Sequence, residues 1–278
     1  MDWIQGEKFI KIADSTFSVG ERAIDDYDGL PNTFCEKDLR DINIVYTHTI
    51  YVKSLYDRIK DIDKEFVVIT HNSDVNIDAS FFVPNNVVKW FTQNVNVLHD
   101  KIESIPIGLE NDRWFADIRK KEKMLKKLSQ PKRHKNLVYM NHNVATNPVK
   151  RERAYNVLGT KSWVTSERGV NGQDFDSYLD NIYNHKFVIC PEGNGIDTHR
   201  IWEALYMGTI PIGEHNINNS FYKDLSILMV DDWEDITEDS LNLLCDIMNL
   251  RIYNTDKLKF GYWANKILKE INKTLYAK

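Results

Sequence analysis

Three polar side chains follow one another closely near residue 200: His199, Arg200 and Glu203. Just ahead of them lies a loop with two glycines, Gly193-Asn194-Gly195, and then Thr198. A guanidinium can fork onto two phosphate oxygens. A carboxylate three residues on sits one turn up the same helical face, where it can accept from a pair of sugar hydroxyls. Glycines let the backbone turn sharply and let a ligand come close. A helix start also exposes backbone N–H groups at the positive end of its dipole. The pattern is that of a diphosphate held at a helix tip, with a ribose beside it. The competing account is plainer. Arg200 and Glu203 would form a surface ion pair worth about 0.3–0.5 kcal/mol, Asp197 would be a cap, and His199 a polar helix residue.

The flanking residues predict what positions this group. An apolar run over 187–190 reads as a short buried strand, ended by Pro191. Asp197 or Thr198 stands where an N-cap belongs, so a helix starts near His199. Ile201, Trp202 and Leu205 share its other face and are expected in the core. Gly208 stops the helix, and the next strand begins over 209–212.

This stretch resembles the exostosin-like glycosyltransferases (glycosyltransferase family 47). More loosely, it resembles the nucleotide-sugar half of other two-domain, GT-B-type transferases. The resemblance is carried by Phe187-Val188-Ile189-Cys190-Pro191, Gly193-Asn194-Gly195, His199-Arg200, Trp202-Glu203-Ala204-Leu205 and Gly208-Thr209-Ile210-Pro211-Ile212. One departure stands out: Glu192 occupies a place where family members usually have a basic residue. The resemblance implies a UDP-sugar donor, GDP being the alternative, with Arg200 on the diphosphate and Glu203 on the ribose. Xylose leads glucuronic acid, galactose and N-acetylglucosamine as the transferred sugar. It implies two Rossmann-like domains facing a cleft, with a C-terminal helix crossing back to the first domain.

The 278 residues, 42% hydrophobic, can fill one large or two modest cores. A net charge of −5 argues against general nucleic-acid binding. Cys35, Cys190 and Cys245 are odd in number and far apart, which suits a reducing compartment. The first residues lack the layout of a signal peptide, and no apolar run approaches a membrane span. The expectation is a soluble cytoplasmic protein of the kind bacteria or viruses encode.

Along the chain, apolar strand-like runs alternate with amphipathic helical ones, so the fold class is α/β with mostly parallel sheets. Turn residues over 25–32 predict a loop. Strands are expected over 42–46, 66–70, 87–91 and 102–107, then 137–140, 163–165 and 226–230. A basic helical stretch over 119–135, broken by Pro131, marks the boundary between domains at 1–125 and 126–255, with 256–278 as the returning helix. In parallel sheets ligands gather at the carboxyl ends of strands. In the first domain those ends carry His71, Asp74, Gln93, Asn94, Glu110 and Asn111. In the second, Asn147 and Pro148 begin a helix with Arg151 and Arg153 in its early turns. Either arginine could assist the diphosphate, and a solvated helix face is the alternative.

Glycosyl transfer needs charge stabilisation of the leaving group, a base for the acceptor hydroxyl, and an in-line geometry. The helix tip from Thr198 to Arg200 supplies the first without a metal or other cofactor. Asp74 is the first choice of base, then His71, then Glu110. Glu110, Asn94 and Glu192 are candidates for holding the glycan acceptor. A base on the far side of the sugar implies inversion. Three rivals compete. A metal-dependent transferase would use Asp-X-Asp after a buried strand, but Asp61-Ile62-Asp63 and Asp174-Phe175-Asp176 both lie elsewhere. A non-catalytic carbohydrate or nucleotide module would use aromatic platforms, yet Trp163 and Trp202 fall at core-facing positions. An oxidoreductase would carry Gly-X-Gly-X-X-Gly after its first strand, which is missing.

Overall fold

The structure, a computed structural model, describes residues 1–19, 33–34, 41–112, 119–132, 135–168 and 174–276. The loop expected over 25–32 and Cys35 lie outside these residues. The chain divides into two compact units. One joins Met1–Leu109 to Asp256–Lys278, and the other is Glu110–Thr255.

The first unit holds α1 (Gly6–Ile10), β1 (Ser15–Phe17), β2 (Ile44–His48), α2 (Val52–Ile59), β3 (Phe66–His71), β4 (Val87–Thr92), β5 (Ile102–Ser104) and α9 (Phe260–Tyr276). Its strands pair in parallel in the order β1-β2-β3-β4-β5. Every residue of β2 and β3 is buried, as a strand covered on both faces requires. Val52, Leu55, Tyr56 and Ile59 recur at helical spacing and give α2 its buried face. Helix α9 packs on β3 and β4 and buries Trp263 and Ile267. Residues 105–107, expected to extend β5, lie beyond its end at Ser104. Trp3 and Ile4 are buried outside any strand, next to an isolated bridge between Gln5 and Leu109.

The second unit holds α3 (Arg119–Leu128), β6 (Asn136–His142), α4 (Pro148–Leu158), β7 (Val164–Arg168), α5 (Phe175–Asn184), β8 (His185–Ile189), α6 (His199–Tyr206), β9 (Ile210–Glu214), α7 (Ile217–Ser220), β10 (Leu228–Val230) and α8 (Glu238–Leu250). Its sheet is also parallel, in the order β10-β9-β8-β6-β7. The chain goes from β6 to β7 on one side, then returns past β6 to lay β8, β9 and β10 on the other. The order therefore reverses between β6 and β8. That is the topological switch point, the place in open α/β sheets where ligands bind outside the carboxyl ends of the strands. The first sheet, laid down in simple succession, has no such reversal among its described strands.

The division between units falls at Leu109/Glu110, ahead of the boundary expected at 125/126. The basic helix explains the difference. It ends at Leu128 rather than reaching 135, and it packs on α5 as part of the second unit. Met124 is fully buried, Lys123 pairs with Asp176 at 2.8 Å, and Lys127 pairs with Asp180. Three of its lysines, Lys121, Lys123 and Lys127, meet carboxylates of the same unit, so it is a packed element and not a solvated connector.

Candidate anion-binding site

Two chain segments leave the sheet at the switch point. After β6, residues 143–147 lead to α4, where Asn147 caps the helix by accepting from Lys150 N at 3.3 Å. After β8, residues 190–198 lead to α6. The segments are stitched together. Arg151 donates from Nε to Glu192 O at 2.9 Å and from Nη1 to Asn143 O at 2.7 Å. Asn147 Nδ2 donates to Gly193 O at 3.0 Å, and Gly193 N to Gly195 O at 3.0 Å. A Cβ on Gly193 would lie 2.7 Å from Arg151 Nη2. A side chain there would have to displace the guanidinium from this position.

Helix α6 brings the second guanidinium. Ile201, Trp202 and Leu205 face the core as their spacing predicts, with Trp202 fully buried. Thr198 is the N-cap residue, but its side chain makes no capping bond, and its Oγ1 is buried with no hydrogen-bond partner. Asp197 does other work, accepting from Trp202 Nε1 at 2.8 Å. The Arg200 guanidinium carbon lies over the Tyr178 ring, 5.1 Å from its centroid. Its Nη1 is buried and has no partner among the described residues. The Tyr178 hydroxyl donates to Glu203 Oε2 at 2.6 Å.

The electrostatics follow from this placement. Burial first, then the charge of Arg200, pulls the Arg151 pKa down to about 10. Burial also works against the Arg200 charge, but Tyr178, Glu203, Cys190 and Tyr139 outweigh it and raise the pKa above the usual value. Among the described residues neither guanidinium has a carboxylate ion-pair partner. Two poorly solvated positive charges thus repel one another beside a helix N-terminus. An anion placed between them would relieve both, and a doubly charged one most of all.

His142, the last residue of β6, reports on the same field. Its ring packs 4.3 Å from Tyr155, and its Nε2–H points to Arg151 O at 3.2 Å. Its Nδ1 is buried without a partner. Burial chiefly, and then the charges of Arg200, Arg151 and Arg168, lower its pKa to about 3. The folded protein therefore refuses a proton that the unfolded chain accepts near pH 6.5. Stability from this residue is complete above pH 6.5 and is lost as pH falls toward 3. Between pH 6.5 and 5 the loss is about 2 kcal/mol. Urea denaturation at the two pH values should show it, and His142→Asn should flatten that difference.

The other residues singled out by sequence are placed as follows. Glu192, the departure from the family pattern, pairs with Lys150 at 3.2 Å and accepts from Asn216 Nδ2 at 3.1 Å. Lys150 also meets Glu214 at 3.1 Å, so the ammonium offsets the acid in this loop. Arg153 is not brought to the loop. It is half-exposed and pairs with Asp232, with Glu234 at 3.9 Å, on the solvated face of α4. His199 Nε2 lies 3.3 Å from Glu110 Oε2 within the second unit. Asn194 is exposed, while Gly193 and Gly195 are buried.

In the first unit, Asp74 is exposed on the loop after β3. His71 is fully buried, with Nε2 3.1 Å from Pro106 O and Nδ1 3.1 Å from Asn72 Oδ1. Phe9 stacks on its ring at 5.1 Å. Asn94 is also fully buried, in the left-handed region at φ 58°, and its Nδ2 joins Gln93 Nε2 on Ser73 O at 2.7 and 2.6 Å. Both residues lock strand ends together; neither presents a free edge to a ligand.

Lys132 sits at the far end of α6. Its Nζ donates to Met207 O at 2.7 Å and Thr209 Oγ1 at 2.9 Å, beside Gly208 at φ 66°. Burial lowers its pKa to about 7. Asp174 caps α5 through Ser177 N at 3.2 Å and Asp176 pairs with Lys123, so this Asp-X-Asp serves a helix start. Asp61 and Asp63 are exposed just past the end of α2. Cys190 and Cys245 are buried free thiols, and burial pushes the Cys190 thiol up to about 12. Among the described residues no helix is long and apolar enough to cross a membrane.

Sequence reasoning passed over Tyr178, His142 and Lys150. Tyr178 lies where an apolar helix face meets the sheet, so its pattern signals core and hides its hydroxyl. His142 was legible as a polar strand end and no further.

No family model matches the chain, and no curated protein matches it. Among solved structures it is similar to Anabaena HepE in complex with UDP-glucose, at 12% identity and a TM-score of 0.35. The match covers 87% of this chain and 80% of that one.

Proposed function

We propose that the chain is a glycosyltransferase that moves a sugar from a nucleoside-diphosphate donor to a glycan hydroxyl. The observation that carries the reading is the pair of half-buried guanidiniums, Arg151 and Arg200, whose charges oppose each other at the switch point, neither within ion-pair distance of a carboxylate among the described residues. Such a pair suits a diphosphate better than a single phosphate, because each guanidinium can take one group. In the proposed reaction the acceptor oxygen bonds to the anomeric carbon as the bond to the donor phosphate breaks. The negative charge left on the diphosphate is met by Arg200, Arg151 and the N–H groups at the start of α6. Leaving-group charge is thereby handled by protein groups, and the reading requires no metal. Glu203 keeps one carboxylate oxygen beyond its bond to Tyr178, suited to a ribose hydroxyl.

Asp74 is retained as the proposed base because its carboxylate is exposed, whereas His71 is buried between β3 and Pro106. The exostosin-like resemblance supplies the finer choices of UDP over GDP, xylose first among the sugars, and inversion at the anomeric carbon. A thermal-shift screen of UDP- and GDP-sugars, with and without a divalent cation, tests them together. Stabilisation by one donor class, with nucleoside diphosphate released when a glycan is added, is the expected result. Release that stops in a chelator and returns with the cation would move the assignment to a metal-dependent enzyme.

A further inference from the structure

Arg200 and Glu203 are three residues apart on one helix, the spacing at which opposite charges ordinarily close on each other. Here they do not. Tyr178, from α5, touches both: its ring lies against the Arg200 guanidinium, and its hydroxyl is bound to Glu203 Oε2 at 2.6 Å. We propose that Tyr178 is the positioning residue of the donor site, keeping Arg200 and Glu203 from quenching each other so that each remains open to ligand. This role rests on the donor-site reading above and adds a residue to it.

The surroundings suit the task. Tyr139 and Phe175 lie 6.4 and 6.1 Å from the Tyr178 ring, which fixes its plane. Burial chiefly raises the phenol pKa well above its usual value, so the hydroxyl stays a donor at any working pH. A cation–π contact with a ring uses none of a guanidinium's N–H donors, which are the groups a phosphate needs. The phenol also satisfies one carboxylate oxygen without neutralising it. Two charged groups of opposite sign are thus held at short range, each with a ligand-facing side.

The test uses calorimetric titration of the whole protein with UDP and GDP, alongside melting temperature. Tyr178→Phe keeps the ring and its packing and removes only the hydroxyl. Glu203 is then released toward Arg200, and affinity for the nucleoside diphosphate should fall about tenfold with little change in melting temperature. In a Glu203→Gln background no carboxylate remains to compete. There Tyr178→Phe should cost nothing further, and Glu203→Gln alone should account for the whole loss. Wild-type affinity in Tyr178→Phe, or losses that simply add in the double variant, would overturn the role while leaving the donor site standing. A wild-type protein that binds neither nucleotide would remove the donor site itself, and this role with it.

Discussion

Arg200→Ala should lower turnover of donor by on the order of 10²–10³-fold, because the charge that develops on the leaving diphosphate loses its fixed counter-charge. The residue is placed for that effect. It lies over the Tyr178 ring, it follows the first residue of α6, and its Nη1 is buried without a partner among the described residues. The fold should survive the change, since the core of α6 is made by Ile201, Trp202 and Leu205 on the other face. Arg200→Lys should recover little. A lysine keeps the charge but loses the planar fork and the stacking surface. Steady-state release of nucleoside diphosphate measures both variants. Near-normal release by Arg200→Ala would take the residue out of the mechanism.

Trp202→Ala should destabilise the second unit by about 3–5 kcal/mol. The indole is fully buried, meets Tyr222 edge-on at 5.1 Å, and donates to Asp197 at 2.8 Å. Its loss opens a cavity between α6 and the sheet and takes the indole donor from a buried carboxylate. The melting transition should fall by about 10 °C. Any drop in donor affinity should accompany it, since Asp197 leads directly into the start of α6. A shift within a degree or two of wild type would mean that α6 is held by other contacts.

How far the sequence could be read depends on which physical signal each feature carries. The stretch around residue 200 was legible because strand, turn, cap and helix signals agree there. Its helix, its core face and its glycine stop all stand as expected. Short elements were not legible. Strand β1 has three residues and α1 five, too few to show a period. The basic helix misled for a different reason. Its lysines look solvated by composition, but Asp176 and Asp180 on α5 answer Lys123 and Lys127, and pairing across 53 residues leaves no local trace.

The site splits along the same line. Arg200, Glu203 and Gly193 stand out in the sequence because loop and helix signals are local. Arg151 and Arg153 could not be told apart, since both lie in the early turns of α4. Only the fold shows that one turns to Glu192 O and the other to Asp232. His71 and Asn94 were drawn in by the rule that ligands gather at strand ends. That rule is strongest where strand order reverses, and among its described strands their sheet runs in simple succession. There the same residue types serve as interlocks between strands.

The central claim is that the two guanidiniums at the switch point await a diphosphate. Calorimetric titration of uridine, UMP and UDP into the unmodified protein addresses it most directly. UDP should bind at least about tenfold more tightly than UMP, and UMP more tightly than uridine, with Arg151→Met and Arg200→Ala each erasing the UDP advantage. Equal affinity for uridine and UDP, or a UDP advantage untouched by both substitutions, would contradict it.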